Sequence, residues 1–345
     1  MSDLKAWLAL LKPAGNSFAR PRMLLGALAF GLPMGWLIAH HQLQAAGFAG
    51  FGIIVSLFMD IGATRKLRLE SMLIGNTLIL LAASLSLALN EHWLLWFAGI
   101  VLIVSLAGSH LAGGFALDLK LRMMGGAYLI GYPGSQISSA ILPMYLLGAL
   151  LTIAISAAFA PRSNNPVALP EPPHWRSDWL RIRQGQRAGL TFGIFLALAC
   201  GFSLLVAETL KLYAPYIAAI TTLMVFRPEP NRTTSTIWLR VAGVLLASVL
   251  AWFLIFPVNS SWILLALAIV SGSLFPVAFA NGLLYVAALV TFIVYIILAL
   301  MGLHGHAAQL TAEARLIETL LGAMVAALFA TIYQHLTAQS EPPLR

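Results

Sequence analysis

Two charged residues with helical spacing lie in the last apolar segment of the chain. Arg315 and Glu318 are three positions apart, so on a helix their side chains share one face. Charged groups within hydrocarbon are costly and mark substrate pathways or proton relays. Glu318 could therefore be a proton-coupled carboxylate whose partner is Arg315 or a substrate anion. The alternative is an internal ion pair that only holds helices together.

Other charged residues could bind or attract an organic anion. Arg240 lies about one turn inside an apolar segment, where its guanidinium could hold a carboxylate through two parallel hydrogen bonds. Asp60 and Arg227 each stand at the start of a charged loop, and two such loops could guide an anion from the cytoplasm. The alternative for the loops is ordinary anchoring of helix ends by positive charge.

One further acidic residue and two aromatic residues complete the candidate site. Asp118 interrupts an apolar segment together with Lys120. The two could form a buried acid and its counter-ion, or they could lie in a re-entrant loop. Tyr216 and Phe226 lie near the two ends of a short apolar segment, where their rings could stack on an aromatic substrate.

No catalytic signature accompanies these residues. The chain contains no P-loop, no G-x-S-x-G, no H-E-x-x-H and no paired-Asp prenyltransferase motif. His304 and His306 form an H-x-H pair, but a metal site needs more ligands. We therefore predict that the protein is not an enzyme, and that it has no catalytic residues, no metal and no cofactor.

The composition is that of a membrane protein. Of the 345 residues, 60% are apolar and 9% are charged, and the mean hydropathy is +0.89. Because soluble domains carry about 25% charged residues, a soluble enzyme, a nucleic-acid-binding protein and a disordered chain are excluded. The net charge of +8 then indicates basic residues at the cytoplasmic ends of membrane helices. The single cysteine, Cys200, allows no disulfide within the chain.

Hydropathy predicts an all-α integral membrane protein with about twelve transmembrane helices, since each span needs about 20 apolar residues. The predicted spans are 23–40, 45–59, 71–89, 93–109, 112–131, 137–160, 188–207, 213–226, 237–256, 262–280, 283–302 and 314–334. With both termini cytoplasmic, 18 of the 20 Lys and Arg fall on the cytoplasmic side. The fifth span is weak, but omitting it would place the basic cluster at 176–187 outside.

An internal repeat divides the chain into two parallel halves of six helices. The tetrad LLGA at 146–149 recurs at 320–323, and the triplet IVS at 103–105 recurs at 269–271. Six spans in each half place both halves in the same orientation, as in many transporters. The second and eighth spans are both short, which points to a binding site near the membrane midplane. The predicted domains are a first repeat at 1–160, a cytoplasmic Pro-rich basic linker at 161–186 and a second repeat at 187–345.

The second half carries motifs that resemble a known family. An aromatic-rich segment from 213 leads through an Arg-Pro pair and a Thr-rich loop to an R-x-x-G at 240–243, and residues 315–322 read RLIETLLG. These features resemble the fusaric-acid-resistance (FUSC) or aromatic acid exporter family, whose R-x-x-[DE]-T-x-x-G pattern falls on Arg315 and Glu318. The resemblance covers roughly residues 187–335 and is faint over the first half. It is closest to the short form that lacks the cytosolic domain.

The resemblance implies a secondary transporter that exports small organic, aromatic carboxylic acids across the bacterial inner membrane, driven by protons. It implies as partners the organic anion, membrane lipid, a periplasmic adaptor protein with an outer-membrane channel, and a second copy of the chain in a homo-oligomer. Nucleic acid is not expected. The alternative is a non-transporting membrane scaffold or assembly subunit that works with a periplasmic adaptor, in which the intramembrane charges are structural. A membrane enzyme acting on lipid is disfavoured because no catalytic cluster is present.

Overall fold

The chain is all-helical throughout the part that the structure describes. The computed structural model describes residues 20–62, 64–111, 114–135, 139–159, 174–303 and 305–338, which form thirteen α-helices and no strand. In chain order the helices are α1 Arg20–Ala39, α2 Leu43–Met59, α3 Arg65–Leu89, α4 Trp93–Ser109, α5 Phe115–Ile130, α6 Ile141–Phe159, α7 Trp175–Arg183, α8 Leu190–Thr209, α9 Tyr216–Val225, α10 Pro230–Leu254, α11 Ser261–Asn281, α12 Leu283–Leu300 and α13 Gly305–Ala338. The predicted fold class, an all-α membrane protein, is confirmed at this level.

Eight of the described helices are long and apolar enough to cross a membrane, namely α1, α3, α6, α8, α10, α11, α12 and α13. The remaining four predicted spans correspond to the shorter helices α2, α4, α5 and α9. The shortest, α9, has 10 residues and extends about 15 Å at about 1.5 Å per residue. This is half of a hydrocarbon core of about 30 Å. Twelve complete spans therefore stay a prediction, and the eighth is helical over Tyr216–Val225 only.

The chain divides into two compact units, and each unit takes segments from both halves of the sequence. The first, which we call the apolar unit, comprises Met1–Leu57, Met144–Pro161 and Trp238–Ala312. The second, the charged unit, comprises Phe58–Pro143, Arg162–Ile237 and Glu313–Arg345. Every acidic residue that the structure describes belongs to the charged unit. The division into halves at 160 and 187, together with the repeat, stays a prediction.

Glycines let helices approach closely within the apolar unit. A Cβ atom on Gly26 of α1 would lie 2.0 Å from the carbonyl oxygen of Gly272 on α11. A Cβ on Gly52 of α2 would lie equally close, 2.0 Å, to the carbonyl oxygen of Tyr145 on α6. Because hydrocarbon provides no hydrophobic driving force between helices, such small-residue contacts are a main source of helix association in membranes.

The charged unit contains an equally close crossing and a buried polar network. A Cβ on Gly193 of α8 would lie 2.2 Å from the carbonyl oxygen of Ser105 on α4. Nearby, the Trp96 indole donates to the Ser86 hydroxyl at 2.8 Å, and that hydroxyl donates to the Tyr128 carbonyl at 2.6 Å. The Tyr128 hydroxyl donates to the Trp96 carbonyl at 2.9 Å. These bonds join α3, α4 and α5 into one framework.

The C-terminal part of the predicted linker is helical. Residues 161–173 lie outside the described residues, but α7 follows directly, with His174 as its N-cap. Ile182 and Asp178 are buried on one side of α7, whereas Trp179 and Leu180 are exposed. An amphipathic helix therefore follows the Pro-rich segment and packs on α5.

Candidate functional site

The candidate site is organised around α9, a short helix that lies wholly within the charged unit. Pro215 occupies the N-cap position, and Phe226 leaves the helix with an extended backbone. Pro228 then prevents continuation, because proline lacks the N–H that the next helical turn would need. Every helix end leaves unpaired backbone N–H or C=O groups. For α9 these groups must find partners within the protein.

Glu318 on α13 is the partner at the N-terminal end of α9. The backbone N–H of Ala214 donates to Glu318 Oε1 at 2.5 Å, and the Glu318 side chain is 0% exposed. A carboxylate is favoured here because a helix N-terminus carries partial positive charge. The second oxygen, Oε2, has no hydrogen-bond partner among the described residues. Arg315 and the ring of Tyr216 are close enough to interact electrostatically with this carboxylate.

The R-x-x-E-T-x-x-G motif is the face of α13 that packs on α9. Thr319 and Gly322 follow Glu318 by one and four positions. Glu318 and Thr319 are both buried. A Cβ on Gly322 would lie 2.2 Å from the Ala218 carbonyl oxygen. The Thr222 hydroxyl donates to the Gly322 carbonyl at 2.9 Å. The motif thus combines a charged cap with a close helix crossing.

Arg122 on α5 is the partner at the C-terminal end of α9. Its Nη1 donates to the carbonyl oxygens of Leu223 and Phe226, the latter at 3.1 Å. A cation is favoured at this end because the unpaired carbonyls carry partial negative charge. The side chain is 3% exposed, yet Nε and Nη2 have no hydrogen-bond partner in the part of the chain described.

Sequence reasoning missed Arg122 as a site residue. The pattern of the segment points to Asp118 as a candidate, whereas Arg122 is one of several basic residues near it. The signal was available, because Asp118 and Arg122 are four positions apart and share one face of α5. The structure brings them together with Arg227, whose charge acts on both.

Thr233 in the first turn of α10 holds Arg227 and the end of α9 in place, so the Thr-rich segment that the sequence predicted as a loop is helical. The backbone N–H of Arg227 donates to Thr233 Oγ1 at 3.0 Å, and the Thr233 hydroxyl lies 3.1 Å from the Arg227 carbonyl oxygen. Thr233 is 1% exposed. The ring of Phe226 is buried and packs edge-on against Phe192 at 5.0 Å between centroids. Residues 226–229 therefore form an ordered connection between α9 and α10.

The acidic neighbour of Lys120 is Asp178 of α7. Asp178 accepts a hydrogen bond from the backbone N–H of Leu117 at 3.0 Å and so caps the N-terminus of α5. Lys120 Nζ donates to the Ala116 carbonyl at 3.0 Å, and the charge of Asp178 acts on it. Asp118 lies on another face of α5, toward Arg122 and Arg227. The segment is helical from Phe115 to Ile130.

A tyrosine extends the polar group at the N-terminal end of α9. Tyr132 follows α5, and its ring centroid lies 6.1 Å from that of Tyr216. The Tyr132 side chain also forms a hydrogen bond with Glu208. Burial raises the pKa of Tyr132 to about 12, and the neighbouring carboxylates of Glu208 and Glu318 add to this. The phenol therefore stays protonated and able to donate at physiological pH.

Two further predicted site residues are Asp60 and Arg240. Asp60 is held by Arg68 in an ion pair in which Arg68 Nε donates to Oδ1 at 2.6 Å and Nη2 donates to Oδ2. Arg240 belongs to the apolar unit and is half-buried on α10. Its R-x-x-G partner, Gly243, packs on α12, where a Cβ would lie 2.8 Å from the Leu284 carbonyl oxygen. Substrate binding by either residue stays a prediction.

Comparison with known proteins agrees with the motifs. No curated protein and no solved structure matches the chain. Residues 198–329 match the family model for the fusaric acid resistance protein-like proteins. This segment contains α9, Arg227, Thr233 and the Arg315–Gly322 motif. The resemblance predicted from the sequence is therefore confirmed over residues 198–329, where the chain is similar to the fusaric acid resistance protein-like proteins.

Proposed function

We propose that the chain is a secondary transporter that exports small organic, chiefly aromatic carboxylic, acids in exchange for protons. The observation that carries the proposal is α9, a helix about half the length of the membrane core, with Glu318 at one end and Arg122 at the other. Transporters place substrates and coupling ions at the ends of such short or interrupted helices. The family match over the same segment supports transport.

The two ends of α9 suit different tasks. Glu318 can take up and release a proton, and its charge is what the N-terminus of α9 attracts. A neutral Glu318 would hold Ala214 less strongly, so protonation would loosen this end of α9. Arg122 stays charged throughout, because a guanidinium does not lose its proton in proteins. Coupling would then consist of proton exchange at Glu318 linked to movement of α9.

A proton gradient supplies enough energy for this exchange. One charge that crosses 100 mV is worth about 2.3 kcal/mol.

We further propose the bacterial inner membrane as the location, with both termini cytoplasmic, on the basis of the distribution of Lys and Arg. A periplasmic adaptor with an outer-membrane channel and a homo-oligomer are proposed partners. A scaffold subunit is the competing function, in which both caps of α9 serve only stability.

The export of ¹⁴C-benzoate from proteoliposomes tests the proposal. Purified full-length protein, reconstituted with an imposed pH gradient, should move benzoate against its concentration difference, and collapse of the gradient should stop it. Empty liposomes at the same pH gradient measure passive leakage of the neutral acid. Benzoate movement equal to that leakage, by protein shown to be folded, would favour the scaffold function.

A further inference from the structure

We propose that the unpaired edge of Arg122, formed by Nε and Nη2, is the binding site for the carboxylate of the transported anion. This inference deepens the proposed function and rests on it for the class of ligand. Arg122 is 3% exposed, and both nitrogens lack a hydrogen-bond partner in the described part of the chain. A buried charged group with unpaired donors is costly, so such an edge needs a ligand to satisfy it.

Arg68, in the same unit, shows what the Nε and Nη2 edge of a buried arginine can bind. Arg68 uses Nε and Nη2 to hold both carboxylate oxygens of Asp60. Both side chains of that pair are nearly inaccessible, with 4% and 9% exposed. Arg122 presents the same two nitrogens and is equally buried, but no carboxylate among the described residues bonds to them. The remaining nitrogen, Nη1, orients the guanidinium by its bonds to Leu223 and Phe226.

The charges around Arg122 also favour an anion. Arg227 repels it, and Asp118 and Glu229 attract it. Glu229, however, has 55% of its side chain exposed, and its Oε1 lies 3.9 Å from Arg232 Nη1. Solvent and the Arg232 charge therefore weaken the attraction of Glu229 for Arg122. Asp118 is thus the buried acid that offsets Arg122 and Arg227, and a bound carboxylate would add a second negative charge.

The aromatic residues near the Arg122 guanidinium suit an aromatic acid. Phe226 bonds to Arg122 through its carbonyl, and its ring contacts that of Phe192. An aromatic ligand bound to the guanidinium would lie among both apolar rings and the charged residues Arg227 and Asp118. Arg122 would therefore select the carboxylate, and the surrounding rings would accept the apolar remainder of the molecule.

Benzoate and its uncharged isostere benzamide test the site on purified full-length protein in lipid nanodiscs by isothermal titration calorimetry. We expect wild type to bind benzoate and not benzamide. Arg122→Gln should weaken benzoate binding at least tenfold. Arg232→Gln removes one positive charge from an exposed position nearby and should change the affinity less than twofold.

Arg122→Lys covers the case in which the glutamine variant does not fold. Lysine can still donate to the carbonyls of Leu223 and Phe226, but it cannot form two parallel bonds to one carboxylate. We expect at least a threefold loss of benzoate affinity in this variant.

Wild-type affinity in either folded Arg122 variant, equal binding of benzamide, or no benzoate binding by wild type would overturn the site. Export by wild type with unchanged half-saturation in Arg122→Lys would also reject the site while leaving the transport function intact. Wild-type protein that binds benzoate without exporting it would reject the transport function instead.

Discussion

The Glu318 carboxylate accepts a hydrogen bond at 2.5 Å from the backbone N–H of Ala214, a residue 104 positions earlier in the chain. The bond joins α13 to the N-terminal end of α9. It places an ionisable group, which can lose its charge, at the end of a helix too short to cross the membrane. Arg122 makes the corresponding contact at the other end, where the charge is permanent.

Substitution of Glu318 should uncouple transport from protons. Glu318→Gln keeps an oxygen that can accept from Ala214 but removes the group that binds a proton. We expect the protein to insert and purify normally, and to lose at least nine-tenths of its gradient-driven benzoate export. The matched control is Glu229→Gln, an exposed acid that should retain wild-type export. Unchanged pH dependence of export in Glu318→Gln would assign the residue to structure alone.

Gly322→Ala should destabilise the crossing of α9 and α13. The added Cβ would lie 2.2 Å from the Ala218 carbonyl oxygen, so backbone must move. Overpacking of this kind costs about 1–3 kcal/mol, which thermal unfolding in detergent should detect as a lower melting temperature.

Gly126→Ala is the control for helix propensity. A Cβ on Gly126 of α5 meets its nearest atom, the Met224 methyl, at 3.8 Å, an ordinary contact. Alanine should therefore be neutral or stabilising by about 0.5–1 kcal/mol. Equal melting temperatures for Gly322→Ala and Gly126→Ala would contradict the close crossing.

Asp60→Asn should affect stability more than substrate binding. The change leaves Arg68 buried without its counter-ion, and loss of one partner from a buried pair costs about 3–5 kcal/mol. The control is Glu70→Gln, which breaks the more exposed pair between Glu70 and Arg176. Exposed pairs contribute about 0–1 kcal/mol. A higher half-saturation concentration for benzoate export in Asp60→Asn, at unchanged stability, would instead indicate that Asp60 belongs to the substrate site.

Thr233→Val should release the loop that carries Arg227. The hydroxyl accepts from the Arg227 N–H and lies close to the Arg227 and Glu229 carbonyls, whereas valine offers neither contact. We expect a protease to cleave this loop several times faster in Thr233→Val than in wild type. Thr236→Val is the control, because the Thr236 hydroxyl bonds only to the Arg232 carbonyl within its own helix. Equal cleavage rates in both variants would show that Thr233 does not hold the loop.

Cysteine labelling should establish the sidedness of the spans. In a Cys200→Ser background, Asn259→Cys between α10 and α11 should react with an impermeant maleimide in intact cells. Ser340→Cys should react only after the cells are permeabilised, because the Lys and Arg distribution places the C-terminus in the cytoplasm. Labelling of Ser340→Cys in intact cells would reject the predicted orientation.

Composition and periodicity were enough to predict the helical membrane class. Long apolar runs such as α12, with no charged residue between Leu283 and Leu300, can satisfy their backbone in lipid only as helices. The motif around Arg315 and Glu318 was equally visible, because spacing of three residues on a helix places side chains on one face whatever they contact. These are local properties, and local sequence determines them.

The partners of those side chains were decided only by tertiary structure. Sequence spacing does not indicate that Glu318 accepts a hydrogen bond from Ala214. Nor does it indicate that Arg68 pairs with Asp60, or that Asp178 is the acidic neighbour of Lys120. The contacts of Glu318 and Asp178 join segments that are far apart in the sequence, and the helix crossings that bring such segments together depend on which glycines face which backbone. For Arg122 the sequence shows only that it shares a face of α5 with Asp118, and it is the packing of α5 against α9 that buries it with one edge unpaired among the described residues.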